Sequence, residues 1–343
     1  MSAQSLPAVA PDSWYARVPK VELHLHLEGA IPHEAFWQLV LRNGDHDAPK
    51  TLEALQARYQ YRDFAHFIDT WMWQVDFLRS YDDFSLIAEA VARDLRAQNI
   101  RYVEAFYSPA DFARHGLEIP ELTAAIRRGL DAVEGIEVAL VADLIRDLGP
   151  DRGMRQLDAL AEVRDLGVIG IGIGGSEQSH PPEPFQPVYE RARNLGFHTS
   201  AHAGEAAGAE SVWGALDTLR VERIGHGTRA EEDPALIERL VAEQIPLEIC
   251  PISNLRTGVV DSLAAHPVGR YVAQGLNVTI NSDDPSMFGN SLAQEYAVLE
   301  TIQGLSRDTI RALILNGIAA SWMSPQLQTE LTAAFESDPN WLS

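Results

Sequence analysis

The run Val21-Glu22-Leu23-His24-Leu25-His26-Leu27 alternates apolar and polar side chains with a period of two. That alternation marks an extended strand and puts His24 and His26 on one face, where both can reach a single cation. A lone histidine in a strand is ordinarily a satisfied core or surface residue. Two at this spacing inside an apolar run each demand a buried polar partner. Seven further β-like runs follow, at 100–107, 136–144, 168–174, 198–202, 223–226, 245–250 and 277–281. Most are nearly continuous in apolar and small residues, as parallel strands covered on both faces are. Helical patterns lie between them, for example at 121–133, 153–164, 183–194, 211–219, 234–243 and 267–274. Strand and helix alternating eight times predicts a single α/β domain over residues 1–343, a closed (β/α)8 barrel of TIM type. The main departure is the long segment 32–96 after the first strand. It is expected to hold several helices and to sit over the catalytic face as a partial lid.

Three more strand ends carry side chains that bind metals. His202-Ala203-Gly204-Glu205 follows the fifth strand, Gly225-His226-Gly227 ends the sixth, and Ser282-Asp283-Asp284 ends the eighth. Each has a plainer reading: a turn with a solvated glutamate, a buried structural histidine, or an aspartate capping a helix that Pro285 begins. In a parallel barrel these ends converge, and four of them carrying ligand types is hard to attribute to chance. Imidazoles with carboxylates suit one Zn²⁺, or less selectively Fe²⁺ or Mn²⁺, so the outline is that of a metal-dependent hydrolase. In this reading His202 binds metal with Glu205 as a nearby acid, while one of Asp283 and Asp284 faces the cation and the other the substrate.

The formal charge of −22 argues against a nucleic-acid partner, which would need basic patches. The apolar fraction of 46% is ample for a large core, and the single cysteine, Cys250, excludes an internal disulfide framework. It also excludes deaminases whose zinc is held by a Cys-x-x-Cys pair. The first residues show no secretory signal and no stretch approaches a membrane span, so a cytoplasmic protein is expected. Oligomeric state is not legible.

The run Gly170-Ile171-Gly172-Ile173-Gly174-Gly175 does not match the dinucleotide fingerprint, and its glycines are expected to let a flat ligand pack on the fourth strand. His33, His46, His66, His115, His180, His198 and His266 have no comparable partners in sequence, although the loop position of His180 allows a substrate contact. Phe64, Phe67, Trp71, Trp73 and Phe77 recur at helical spacing. That suits packing, or a pocket wall if the segment is a lid.

At these motifs the chain resembles the adenosine deaminase family of metal-dependent amidohydrolases, from Pro19 through Gly29 to Asn281 through Pro285, in the same order. The resemblance implies a (β/α)8 barrel, one zinc per chain and hydrolytic loss of ammonia from position 6 of a small aminopurine. Carried over position by position, His24, His26, His202 and Asp283 match the metal ligands. His226 matches the residue that orients and helps deprotonate the attacking water. Glu205 matches the acid that protonates ring N1, Asp284 the partner of N7, and the N–H of Gly175 the partner of N3.

The outer pocket carries conflicting signals. Glu28 stands where adenosine deaminases usually have an aspartate that reaches the ribose, and resembles adenine deaminases and enzymes of 5′-modified adenosines such as aminodeoxyfutalosine. Gly225 resembles the nucleoside enzymes, Gly172 replaces a familiar aspartate, and the loop 176–183 partly resembles the adenine deaminases. The expected substrate is adenosine or a 5′-modified adenosine, including methylthioadenosine or adenosylhomocysteine. Free adenine is the alternative, favoured if Glu28 and the segment around Phe64 fill the ribose space. A silent purine-binding barrel and hydrolysis of an N6-substituent or phosphoester are the more distant readings.

Overall fold

The computed structural model describes residues 6–62 and 64–342, without the side chains of Phe64 and Ala65. Its strands are β1 (Lys20–His26), β2 (Ile100–Tyr107), β3 (Glu137–Ile145), β4 (Val168–Gly174), β5 (His198–Ala203), β6 (Arg223–His226), β7 (Leu247–Ile249) and β8 (Val278–Ile280). They pair in sequence order, each parallel to the next. The barrel predicted from sequence is the fold observed, with strand limits within two residues of those expected.

Closure between β8 and β1 is made at the metal-ligand motifs themselves. The His26 N–H donates to the Asp283 carbonyl at 2.9 Å, and the Asp283 N–H to the His24 carbonyl at 3.1 Å. Asn281 Oδ1 accepts from the N–H groups of Leu23 and His24, so a side chain completes the ladder where the backbone does not. The first and last functional motifs are therefore one rigid unit.

On β1 the pleat sends Glu22, His24 and His26 to one face and Val21, Leu23 and Leu25 to the other. Val21 packs so closely on the helix Arg307–Ala320 that a Cβ on Gly317 would come within 2.8 Å of it. The barrel also holds a charged layer. Arg223, on β6, bonds Glu104 of β2 and Glu248 of β7 at 2.6 Å each, all three fully or nearly fully buried, and its guanidinium lies 3.5 Å over the Trp322 ring. Charges so deep persist because each is paired and hydrogen-bonded.

Between β1 and β2 lie the helices His33–Asn43, Leu52–Gln56, Phe64–Val75 and Tyr81–Ala97. The last begins in a Ser80–Asp83 capping box and packs against Ile119–Asp131, where a Cβ on Gly129 would fall 2.2 Å from the Ser85 carbonyl. No helix among the described residues is long and apolar enough to cross a membrane.

Candidate active site and metal centre

Five side chains from β1, β5, β6 and the turn after β8 meet at one end of the barrel. Single ligand atoms of His24, His202, His226 and Asp283 all lie within 4.8 Å of one another. His26 Nε2 joins them, 3.2 Å from His202 Nε2 and 3.3 Å from Asp283 Oδ1, while His24 Nε2 is 3.4 Å from the same oxygen. Around a tetrahedral ion with bonds of 2.0–2.1 Å, neighbouring ligand atoms stand about 3.3–3.4 Å apart. The contacts match that edge length. His24 Nε2 is buried without a hydrogen bond of its own, as a ligand nitrogen facing a cation would be. The donor set fits a divalent metal.

Two of these residues sit in an unfavourable backbone region. His226 has φ of 62° and Asp283 of 67°, the left-handed region that non-glycine residues seldom occupy. Such strain, of order 1–3 kcal/mol each, persists where the surroundings over-determine the geometry. Here the flanking turn bonds and the closing ladder do so.

Behind the cluster, His24 and His202 are each aimed by a partner on the far nitrogen, whereas His26 Nδ1 is buried without one. His24 Nδ1 lies 2.8 Å from Glu248 Oε2, and His202 Nδ1 lies 3.2 Å from the Ile173 carbonyl, leaving the Nε2 atoms for the metal side. The Ser253 hydroxyl donates to Asp283 Oδ2 at 2.6 Å. Burial opposes charge on His24, but its contacts with Asp283 and Glu248 outweigh that and hold its pKa at about 10. Burial pulls His26 down to about 4 and His226 to about 3. The same carboxylates that favour a proton on His24 favour a cation beside it.

Glu205 lies 3.5 Å from His226 Nε2 through Oε2. Its loop is pinned by Glu177, whose carboxylate accepts the N–H groups of Gly204, Glu205, Ala206 and Ala207 at 2.6–3.1 Å. Burial, then the charges of Asp283 and Glu177, raise the Glu205 pKa well above the ordinary glutamate value, which favours its acid form. Asp284 is raised likewise, by burial and by Asp283. Its side chain makes no helix-cap bond, and Oδ1 is buried and unpartnered. Gly29 leaves room for it, since a Cβ there would sit 1.7 Å from that oxygen.

A cavity of about 290 Å³ opens over this cluster. His26, His202, His226, Asp283, Glu205, Asp284 and Gly175 line it, and Phe67, Ile68, Trp71 and Met72 of the inserted segment form its opposite wall. Ser108, Asp111, Asp143, Asp147 and Ser176 line it as well. Glu28 does not line it: the side chain is fully buried, and Oε1 accepts the Ser108 N–H at 3.0 Å. The Phe64 side chain falls outside the described residues. Trp73 and Phe77 pack on Phe36 instead of facing the cavity.

The glycines of β4 serve a different purpose from the expected ligand platform. A Cβ would strike Trp322 at Gly170, Phe106 at Gly172 and Asp143 at Gly174, so these positions accommodate core rings and a carboxylate. Only Gly174 and Gly175 reach the cavity. Several functional neighbours escaped the sequence reading: Glu248, Arg223, Ser253, Glu177, Asp143, Asn254 and His266. Their partners are remote in the chain, and only the buried charges in strand-like runs at Glu104, Asp143 and Glu248 offered a signal.

A barrel with imidazoles and a carboxylate converging at its strand ends, beneath a cavity lined by a buried glutamate, defines a metal-dependent hydrolase. The family described as adenosine deaminase matches residues 19–336, and the chain belongs to that family. It is 36% identical over 316 residues to an adenine deaminase of Pseudomonas syringae, covering 91% of this chain and 99% of that one. It is 38% identical over 317 residues to an aminodeoxyfutalosine deaminase of Streptomyces coelicolor, covering 91% and 82% respectively. Among solved structures, an adenine deaminase from Arthrobacter aurescens superposes with a TM-score of 0.88 at 34% identity, over 93% of this chain and 98% of that one. An amidohydrolase from Burkholderia ambifaria with bound Zn gives 0.88 at 28% identity, over 97% and 94%. The protein is a hydrolytic deaminase acting on a purine C–N bond.

Proposed function

We propose that the chain deaminates a 6-aminopurine bearing a substituent at N9, a nucleoside or 5′-modified nucleoside, with zinc held by His24, His26, His202 and Asp283. The observation that carries this reading is the rest of the cavity lining. Besides the catalytic cluster it includes Asp111, Asp143, Asp147 and Ser176, acceptors suited to sugar hydroxyls. No lysine or arginine among the described residues lines it, which disfavours a phosphate there. Zinc in such a site supplies the Lewis acidity that makes water a nucleophile near neutral pH. Glu205, whose pKa burial raises, gives its proton to ring N1 and so prevents negative charge from building on the ring. Asp284 faces N7 through its unpartnered Oδ1, and its raised pKa favours the acid form that donates. Gly175 meets N3 where its positive φ of 101° brings backbone to the cavity.

Free adenine is the second reading. It is favoured by the adenine deaminase relatives and by Glu28, whose Oε1 accepts the N–H of the cavity-lining Ser108. Steady-state rates on adenine, adenosine, methylthioadenosine, adenosylhomocysteine and aminodeoxyfutalosine decide between them. Higher kcat/KM on a nucleoside supports the first reading, whereas a rate on adenine far above all nucleosides replaces it with the second.

A further inference from the structure

Behind His226 runs a chain of four polar groups that no sequence motif announced, and one end of it is fixed by the backbone. The Val268 N–H, which can only donate, bonds His266 Nδ1 at 3.1 Å. The neutral His266 ring must then carry its hydrogen on Nε2, which lies 3.0 Å from Asn254 Oδ1. The Thr228 hydroxyl is 2.6 Å from the same oxygen. Both lone pairs of Oδ1 are occupied, so Asn254 turns its NH₂ toward His226 Nδ1, 3.3 Å away. Turning the amide over would set its NH₂ against the His266 Nε2–H, two donors face to face. The network therefore fixes the orientation of the amide.

From this we infer that Asn254 is a positioning residue that fixes His226 with its hydrogen on Nε2, so that His226 acts on the attacking water as a hydrogen-bond donor. The consequence separates two roles that distance alone leaves merged. His226 Nε2 stands among the possible ligand atoms, within reach of Asp283 and Glu205. A nitrogen that bears hydrogen is neither a metal ligand nor a proton acceptor. The four ligands are then His24, His26, His202 and Asp283, and His226 holds the nucleophile in place by donating to it. All members of the relay are buried, with Asn254 fully so, and because Nδ1 of each ring accepts a hydrogen bond it carries no proton, so both rings are neutral. This inference rests on the proposed reading for the identity of the nucleophile, but its test does not require turnover.

The experiment is long-range ¹H–¹⁵N spectroscopy of the zinc-loaded, histidine-labelled full chain, with His226 assigned by its loss in His226→Gln. The expected result is a protonated Nε2 and an unprotonated Nδ1 in the wild type. Asn254→Asp is isosteric and offers His226 an acceptor, so it should move the hydrogen to Nδ1. It should then lower kcat by roughly 10²–10⁴-fold, the scale of a wrong tautomer at a catalytic histidine, while KM changes little. A wild-type ring with hydrogen on Nδ1, a variant ring that does not switch, or a switched ring with unchanged kcat would each overturn the inference. The wild-type spectrum needs no variant, so misfolding of Asn254→Asp leaves the test intact. A protein that deaminates no purine would refute the proposed substrate while the spectrum still decided the tautomer.

Discussion

Replacing Glu248 by glutamine should weaken metal binding without touching a ligand. The carboxylate accepts from His24 Nδ1 at 2.8 Å and Arg223 Nε at 2.6 Å, both partners buried. Glutamine keeps the shape and removes the charge. Each bond falls from the charge-assisted class, about 1.5–3 kcal/mol, to the neutral one, about 0.5–1.5 kcal/mol. The His24 share, about 1–2 kcal/mol, predicts a drop in zinc affinity of order 10-fold, within the 10–100-fold range of such outer partners. The Arg223 share appears as stability, because Arg223 retains Glu104 as its counter-charge and is not left uncompensated. Competition against a chromophoric chelator measures the first effect, and calorimetry of the apo-protein the second. Unchanged zinc affinity in a folded Glu248→Gln protein would refute the claim that this carboxylate aims and polarises His24.

Four further outcomes follow from the site. Glu205→Gln should keep the metal and the fold yet lose roughly 10²–10⁴ in kcat, read by ammonia release, because it can no longer protonate N1. Burial raises the Glu205 pKa, and the acid form needed at N1 is lost as pH rises through that raised pKa, so wild-type kcat should fall there; a profile without an alkaline limb would contradict the role. Glu177→Ala removes the acceptor of four loop N–H groups and should lower kcat by misplacing Glu205 while zinc stoichiometry, measured by elemental analysis, holds. Asp143→Asn changes a buried, cavity-facing carboxyl whose Oδ1 has no partner; kcat/KM should fall more for adenosine than for 9-methyladenine, which lacks the sugar hydroxyls.

The side chains that face the metal were legible because strand alternation is local. His24 and His26 declare themselves two residues apart, and four strand ends converge once the barrel is granted. Their support was not. Glu248 stands 224 residues from His24 and Glu177 up to 30 from the amides it binds, and neither distance leaves a periodic trace. His266 looked partnerless in sequence because its partner, Asn254, bears no charge and lies on another turn of chain. The glycines of β4 misled for a related reason: they make room for Phe106, Asp143 and Trp322, contributed by other elements. The resemblance places Glu28 near the substrate, whereas its contact with the Ser108 N–H, 80 residues away, leaves no local trace in the sequence.

The most direct test of the account is metal content and ammonia release measured on the same zinc-replete sample with adenosine, its 5′-modified forms and adenine. One zinc per chain, with catalytic ammonia release that vanishes on chelation and returns with zinc, is the predicted result. Purine binding without ammonia release, or turnover indifferent to the metal, would contradict it.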